Sequence, residues 1–180
     1  MKVIHLHKKL SDEEYFLFEE KSELKHELIN GNLYEMSGVS IFHNNLVLRL
    51  SFLFYGLLKG TDWQLTMENF KVKTPEGSYF YPDIAVCYSN PEKYFSSQPL
   101  LIVEVLSDTT RKYDLTDKFI QYQKIETLQY YLCIEPEQQV VVFYSKHDEE
   151  WTAETFTKDE QVISLSTLNI SFPLKDIYNP

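Results

Sequence analysis

Long apolar runs are absent from this chain. No stretch reaches the length needed to cross a bilayer, and the opening MKVIHLHKKLSDEEY has no apolar core of the kind a secretion signal needs. Cysteine is scarce: Cys87 and Cys133 lie far apart, form no CxxC pair, and both fall in apolar, strand-like runs. That pattern predicts buried thiols in a reducing compartment. Positive charge is also in short supply, with 17 basic residues against 27 acidic ones and a formal net charge of −10. Such a balance opposes unassisted binding to a nucleic-acid backbone, because that affinity rests on Lys and Arg neutralising phosphates. No strong basic run, helix-turn-helix, zinc motif, internal repeat or low-complexity linker is visible. These absences predict a soluble, cytoplasmic protein with no membrane partner, folded as one domain over residues 1–180.

Apolar and aromatic side chains, by contrast, are plentiful. Of 180 residues, 43% are hydrophobic and 15% aromatic, including 13 Tyr and 12 Phe. This is a globular composition with enough chain for a sizeable core. Some aromatics exceed what one core needs, which leaves room for a homodimer interface. SDEEYFLFEEKS reads as a short helix, with Ser11 as N-cap and Glu14 at the capping-box position. HELINGNLYEMS reads as two extended pieces around Asn30-Gly31, the strongest hairpin dipeptide. Ser40 opens a second helix in which Leu46, Leu50, Leu53 and Leu57 recur at helical spacing before Gly60. WQLTMENFKVKT and YFYPDIAVCY each predict one strand, separated by a turn at Pro75-Glu76-Gly77. A loop holding Pro91 leads to the strand LLIVEVL, then to a helix DLTDKFIQYQKI with Leu115, Phe119 and Tyr122 a turn apart. LQYYLCIE is a buried strand, and VVVFYS, EEWTAETFT and QVISLS add hairpin-like segments. His5 and His7 alternate near the terminus and receive no role. The order predicts an α/β protein, a central mixed sheet flanked by helices, with extra β-hairpin elements at both ends.

One residue breaks the pattern. Glu104 stands inside PLLIVEVLS, a run apolar on both faces that predicts a central strand covered on both sides. An unpaired carboxylate there is costly, or stays protonated. Alternation puts Glu104 on one face with Leu100, Ile102 and Leu106, and Asp83 on one face with Ala85 and Cys87. If the two strands are neighbours, the carboxylates converge, and a hard divalent cation with waters relieves their repulsion. The ordinary alternatives are an ion pair for Glu104 and a turn cap for Asp83.

Pro82-Asp83 followed 21 residues later by Glu104 inside an apolar strand resembles the PD-(D/E)XK nuclease superfamily. HELINGNLYEMS, the helical His43, YPDIAV, LLIVEVLSDTTRKYDLTDKFIQYQKI and YYLCIEPEQQVVVFY together resemble the Uma-two family of restriction-endonuclease-like proteins. The resemblance covers roughly residues 24–145 and implies a restriction-endonuclease-like core at about 40–135. It further implies Mg²⁺- or Mn²⁺-dependent hydrolysis of phosphodiester bonds, with Asp83 and Glu104 as metal ligands and DNA as substrate. The superfamily's lysine two residues after the glutamate is missing, since Leu106 stands there. Lys118 is the substitute: it flanks the inward face of its helix, and its stem can carry the ammonium to the carboxylates. Its plain alternative is an i, i+4 pair with Asp114. The resemblance adds Glu27 as an outer ligand and His43 as a site contact, although an inward histidine alone is an ordinary core residue. Ser107, Thr110 and Arg111 follow the strand on a loop, where polar groups can reach phosphate. The rival reading is a catalytically inactive nuclease fold serving as a binding or oligomeric module, favoured by an acidic rim around Asp83 and Glu104. A hydrolase of smaller phosphoesters is a further alternative.

Overall fold

The computed structural model describes residues 2–4, 9–88 and 92–179. His5, His7 and Pro91 lie outside the described residues. The chain begins with β1 (Lys2–Ile4) and α1 (Asp12–Lys21). The Ser11 hydroxyl accepts the Glu14 N–H at 3.2 Å while the Glu14 carboxylate accepts the Ser11 N–H at 2.9 Å, so the capping box forms as the sequence predicts. β2 (His26–Ile29) and β3 (Asn32–Glu35) form the hairpin around Asn30 and Gly31, whose φ angles of 50° and 83° meet the left-handed demand of a two-residue turn.

Helix α2 (Ile41–Leu57) opens at Ser40, whose hydroxyl accepts the His43 N–H at 3.1 Å. Its buried face carries His43, Leu46, Val47, Leu50, Ser51 and Phe54. The row 46, 50, 53, 57 expected from the leucines is therefore displaced: Leu53 is half-buried and Leu57 exposed. The expected and observed rows share Leu46 and Leu50, and packing against the sheet selects the continuation that carries Phe54.

The next two sequence runs each break in two. They give β4 (Gln64–Met67), β5 (Lys71–Lys73), β6 (Tyr79–Phe80) and β7 (Ile84–Cys87). Met67 pairs with Ile84 in one sheet, whereas Val72 pairs with Phe80 in another. At the crossing, Glu68 takes φ 35°, the Glu68 N–H donates to the Asp83 carbonyl at 3.2 Å, and Pro82 offers no N–H to continue a ladder.

β8 (Phe95–Ser96) and β9 (Pro99–Val105) follow, every residue of β9 being buried. The helix after β9 starts as α3 (Arg111–Tyr113), widens into a π turn (Asp114–Lys118) and ends as α4 (Phe119–Tyr122). β10 (Tyr130–Ile134), β11 (Val141–His147), β12 (Glu150–Phe156), β13 (Val162–Leu165), β14 (Ile170–Pro173) and α5 (Lys175–Tyr178) complete the chain.

Among the described residues the central sheet runs β12-β11-β10-β9-β7-β4, with β9 and β10 parallel and the other pairs antiparallel. A second sheet, β1-β3-β2-β6-β5-β8, is built from the N-terminal hairpin and the far halves of the two broken runs. The N-terminal hairpin elements are thus part of a full layer. One face of the central sheet packs Ile84, Val86, Leu101 and Val103 against α2, α5 and the β13–β14 hairpin. The other face packs Ala85, Cys87, Ile102 and Leu106 against Phe119 and Tyr122 of α4 and Val72 and Phe80 of the second sheet. The alternation read from the sequence holds for both strands except at Leu100, which joins the first cluster beside the bulge at Val86/Cys87. Both cysteines are free and buried, and burial pushes the Cys87 thiol up to about 11.

Candidate active site

β7 and β9 are antiparallel neighbours, with Ile84 opposite Val103 and Ala85 opposite Ile102. Continuing that register one step brings Asp83 beside Glu104, on the face that carries Ala85 and Ile102. The Val105 N–H donates to Asp83 Oδ2 at 2.6 Å, which holds the carboxylate at the end of β7 where the ladder stops. Asp83 and Glu104 line one cleft of about 80 Å³, together with Glu27, His43, Asp114 and Lys118. The conditional convergence of the sequence reading is therefore met in the fold.

Lys118 enters this cleft from the π turn. Its Nζ lies 2.8 Å from Glu104 Oε1, 3.2 Å from Glu27 Oε1 and 3.8 Å from Asp114 Oδ1. Glu27 reaches the same point from β2, where its Oε1 also accepts the Tyr81 N–H at 3.0 Å. Tyr122, one helical turn beyond Lys118, donates its hydroxyl to Glu104 Oε1 at 3.2 Å. Lys118, Glu104, Glu27, Asp114 and Tyr122 are all buried. A π turn adds a residue to the helical repeat, and it keeps Asp114, Lys118 and Tyr122 on one inward face.

Electrostatics follow from three carboxylates sharing one ammonium. Burial raises the Glu104 pKa well above the usual carboxylate range; Lys118 opposes this, but Asp114 and Asp83 add to it. Lys118 is also raised: burial acts to lower it, and Glu104, Glu27, Tyr122 and Asp114 outweigh that. The two partners pull in opposite senses, since a neutral Glu104 would weaken the hold on Lys118. A charged Lys118 is the firmer conclusion, because Glu27 and Asp114 face it whatever the state of Glu104. Asp114 itself is raised by burial despite Lys118 and a hydrogen bond from Thr110. His43 Nε2 lies 3.2 Å from Asp83 Oδ2. Burial pushes its pKa down, and the Asp83 hydrogen bond and charge, with Glu68, carry it above its ordinary value. His43 Nδ1 and the Tyr113 hydroxyl are buried at this cleft without hydrogen-bond partners among the described residues.

The fold thus brings together Asp83, Glu104, Lys118, Glu27 and His43. Sequence reasoning left Asp114 as an i, i+4 helix partner of Lys118 and Tyr122 as core packing, yet both touch the cluster. Their four-residue spacing around Lys118 was the available signal. Ser107 and Thr110 line the cleft, and their hydroxyls bond each other at 2.8 Å. Arg111 does not point to this site: it pairs with Glu135 and lies 3.9 Å from Asp108. Lys124 pairs with Glu76 at 2.6 Å. Lys112 is exposed and has no ion pair among the described residues. The cleft is therefore acidic, with a single lysine at its centre.

No three His, Cys, Asp or Glu side chains among the described residues are grouped as a ready-made metal cage. Mg²⁺ does not demand one, since it takes one or two carboxylates and keeps several waters. The donor set fits this habit. Asp83 commits Oδ2 to Val105 and His43, and Glu104 commits Oε1 to Lys118 and Tyr122. Asp83 Oδ1 and Glu104 Oε2 accept no hydrogen bond among the described residues, leaving one hard oxygen on each residue.

Comparison with known proteins agrees with the geometry. Two uncharacterized proteins of Synechocystis sp. (strain PCC 6803 / Kazusa) are similar along nearly the whole chain. One, slr1290, is 34% identical over 175 residues, covering 94% of this chain and 92% of its own length. The other, sll1609, is 32% identical over 177 residues, covering 94% of this chain and all of its own length. A crystal structure of "a putative nuclease belonging to DUF820" from Anabaena variabilis ATCC 29413 superposes with a TM-score of 0.76 at 17% identity, covering 92% of this chain and 96% of that one. That likeness establishes the restriction-endonuclease-like fold. The Uma2 profile, described as "Putative restriction endonuclease", matches residues 12–175, and the chain belongs to this family.

Proposed function

We propose that the protein is a Mg²⁺- or Mn²⁺-dependent endonuclease that hydrolyses phosphodiester bonds in DNA. One observation carries the reading: Asp83, Glu104, Glu27 and Lys118, drawn from four elements, meet in one cleft, with Lys118 2.8 Å from Glu104. Lys118 thereby occupies, from the helix, the place that Leu106 leaves empty in the strand. Asp83 Oδ1 and Glu104 Oε2 would hold the cation, with Glu27 behind them. When bound, it supplies positive charge for a phosphate oxygen and a lowered pKa for water.

The chain's own groups do the rest. Lys118 is the one positive side chain in the cleft and offsets charge that develops on the phosphate. Glu27, Glu104 and Asp114 hold its ammonium in place, so it needs no rearrangement as the reaction proceeds. His43, hydrogen-bonded to Asp83, fixes that carboxylate and offers Nδ1 as a further polar contact. The unpartnered Tyr113 hydroxyl at the same cleft is a donor for a substrate oxygen.

The acidic lining favours one alternative, a nuclease fold that binds without cutting. Supercoiled plasmid incubated with Mn²⁺ or Mg²⁺ separates the two. Nicking by the wild type that is lost in both Glu104→Ala and Lys118→Ala supports the proposal. No nicking with either cation, or cleavage untouched by both substitutions, would remove it in favour of the binding module.

A further inference from the structure

Helix α2 has a second apolar face, turned away from the core. Ile41, Leu48, Phe52 and Tyr55 lie on it and Phe42 stands about a third of a turn to its side, with exposures from 51% at Leu48 to 71% at Phe52 and Tyr55. Ile41 and Tyr55 stand one heptad before and after Leu48, and Phe52 one turn after it. That is the seam spacing of a helix meeting another helix. Asn45 sits within the same row, a polar residue of the kind that fixes register in such seams.

We propose that this face binds a second copy of the chain, as an isologous pair of antiparallel α2 helices on a twofold axis through Leu48. The axis sets Ile41 of each copy against Tyr55 of the other and Leu48 against itself. Self-complementarity of this sort is what a twofold contact requires. Two physical quantities select a second copy as the occupant. The first is area. Large apolar side chains carry roughly 150–250 Å² each, so these five expose on the order of 600 Å² of apolar surface. A stable interface takes about 800 Å² from each partner, and exposed Asn44, Arg49 and Lys59 around the stripe supply a polar rim of the right order. The second is charge. Each copy carries −10, so two copies repel over most of their surface. Between Glu35 and Asp62 the chain has no acidic residue at all, and α2 is where two copies approach without like charges meeting. The stripe also lacks the acidic side chains that would recruit a basic partner. His43, the α2 residue that lines the cleft, is on the opposite, buried face, so the pairing uses none of the cleft's α2 side chains and stands or falls apart from the nuclease reading.

Sedimentation equilibrium at tens of micromolar protein tests this. The wild type is expected at twice the chain mass. Leu48→Glu places two carboxylates face to face across the axis and is expected to weaken the dimer by at least ~30-fold. Leu48→Lys should do the same, and mixing the two variants should restore a dimer in which one charge meets its opposite. Leu48 is half exposed, and unchanged far-ultraviolet dichroism of both variants will show that the fold is intact. A monomeric wild type, a dimer indifferent to either substitution, or a mixture that stays monomeric would each overturn the proposal.

Discussion

Lys118 is a buried lysine that faces three carboxylates. Its ammonium is shared by Glu104, Glu27 and Asp114 at 2.8, 3.2 and 3.8 Å. A buried ion pair adds little net stability over an apolar substitute, whereas removing one partner leaves an uncompensated charge. Lys118→Met is therefore expected to cost about 3–5 kcal/mol in urea unfolding with chelator present, because Glu104 and Glu27 lose their only cation. Adding Glu104→Gln to that chain should recover part of the loss. A Lys118→Met protein as stable as wild type would mean that the carboxylates are already neutral and that Lys118 holds nothing together. At this scale much of the site was legible. A carboxylate inside a strand apolar on both faces needs a partner, and alternation lets Asp83 converge on its side of the sheet once the two strands are neighbours. Asp114 was missed because an i, i+4 acid–base pair reads the same on a surface as in a core.

At the level of elements, the decisive local feature is the π turn from Asp114 to Lys118. Nothing in DLTDK marks it: no glycine or proline interrupts the run, and the apolar spacing fits an ordinary helix. The widening is favoured in the fold because it lets Asp114 and Lys118 face the sheet while Phe119 and Tyr122 pack below them. Deleting exposed Thr116 should relieve the extra residue and restore α geometry. Asp114 and Lys118 then stand three residues apart in place of four, which changes their angular offset and moves the carboxylate away from the ammonium. Far-ultraviolet dichroism should stay helical, while any nicking activity falls to the level of Lys118→Ala. Full activity in the deletion variant would show that the π turn is dispensable. The broken strands teach a related lesson. Glu68 takes a left-handed φ without being glycine, so WQLTMENFKVKT carries no sign of its own crossing between sheets. Pro82, with no N–H to give, stands at the other crossing, although YFYPDIAVCY reads as one strand in the sequence. The hairpin at Asn30-Gly31 and both helix caps, at Ser11 and Ser40, were readable because each rests on local chemistry alone.

For the whole molecule, the question is how a chain of net charge −10 approaches a polyphosphate. Its nearby basic side chains give little help: Arg111 and Lys124 are spent on Glu135 and Glu76, and Lys118 is enclosed by carboxylates. Nucleic-acid affinity ordinarily scales with the number of free Lys and Arg that displace counterions. Here that number at the cleft is small, and the uncommitted carboxylate oxygens of Asp83 and Glu104 repel phosphate. A divalent cation held between protein and phosphate reverses the local sign, so binding, and not only cleavage, should require it. Fluorescence anisotropy of a labelled DNA duplex is expected to show little binding in chelator. Affinity should rise about tenfold or more with Ca²⁺, a hard cation that takes the same oxygen ligands. Asp83→Asn with Glu104→Gln removes the negative oxygens that hold the cation, and the calcium-dependent part should vanish with them. Equal affinity with and without the cation would place the nucleic acid on some other surface, and the cleft's acidity would then mark a site that phosphate does not enter.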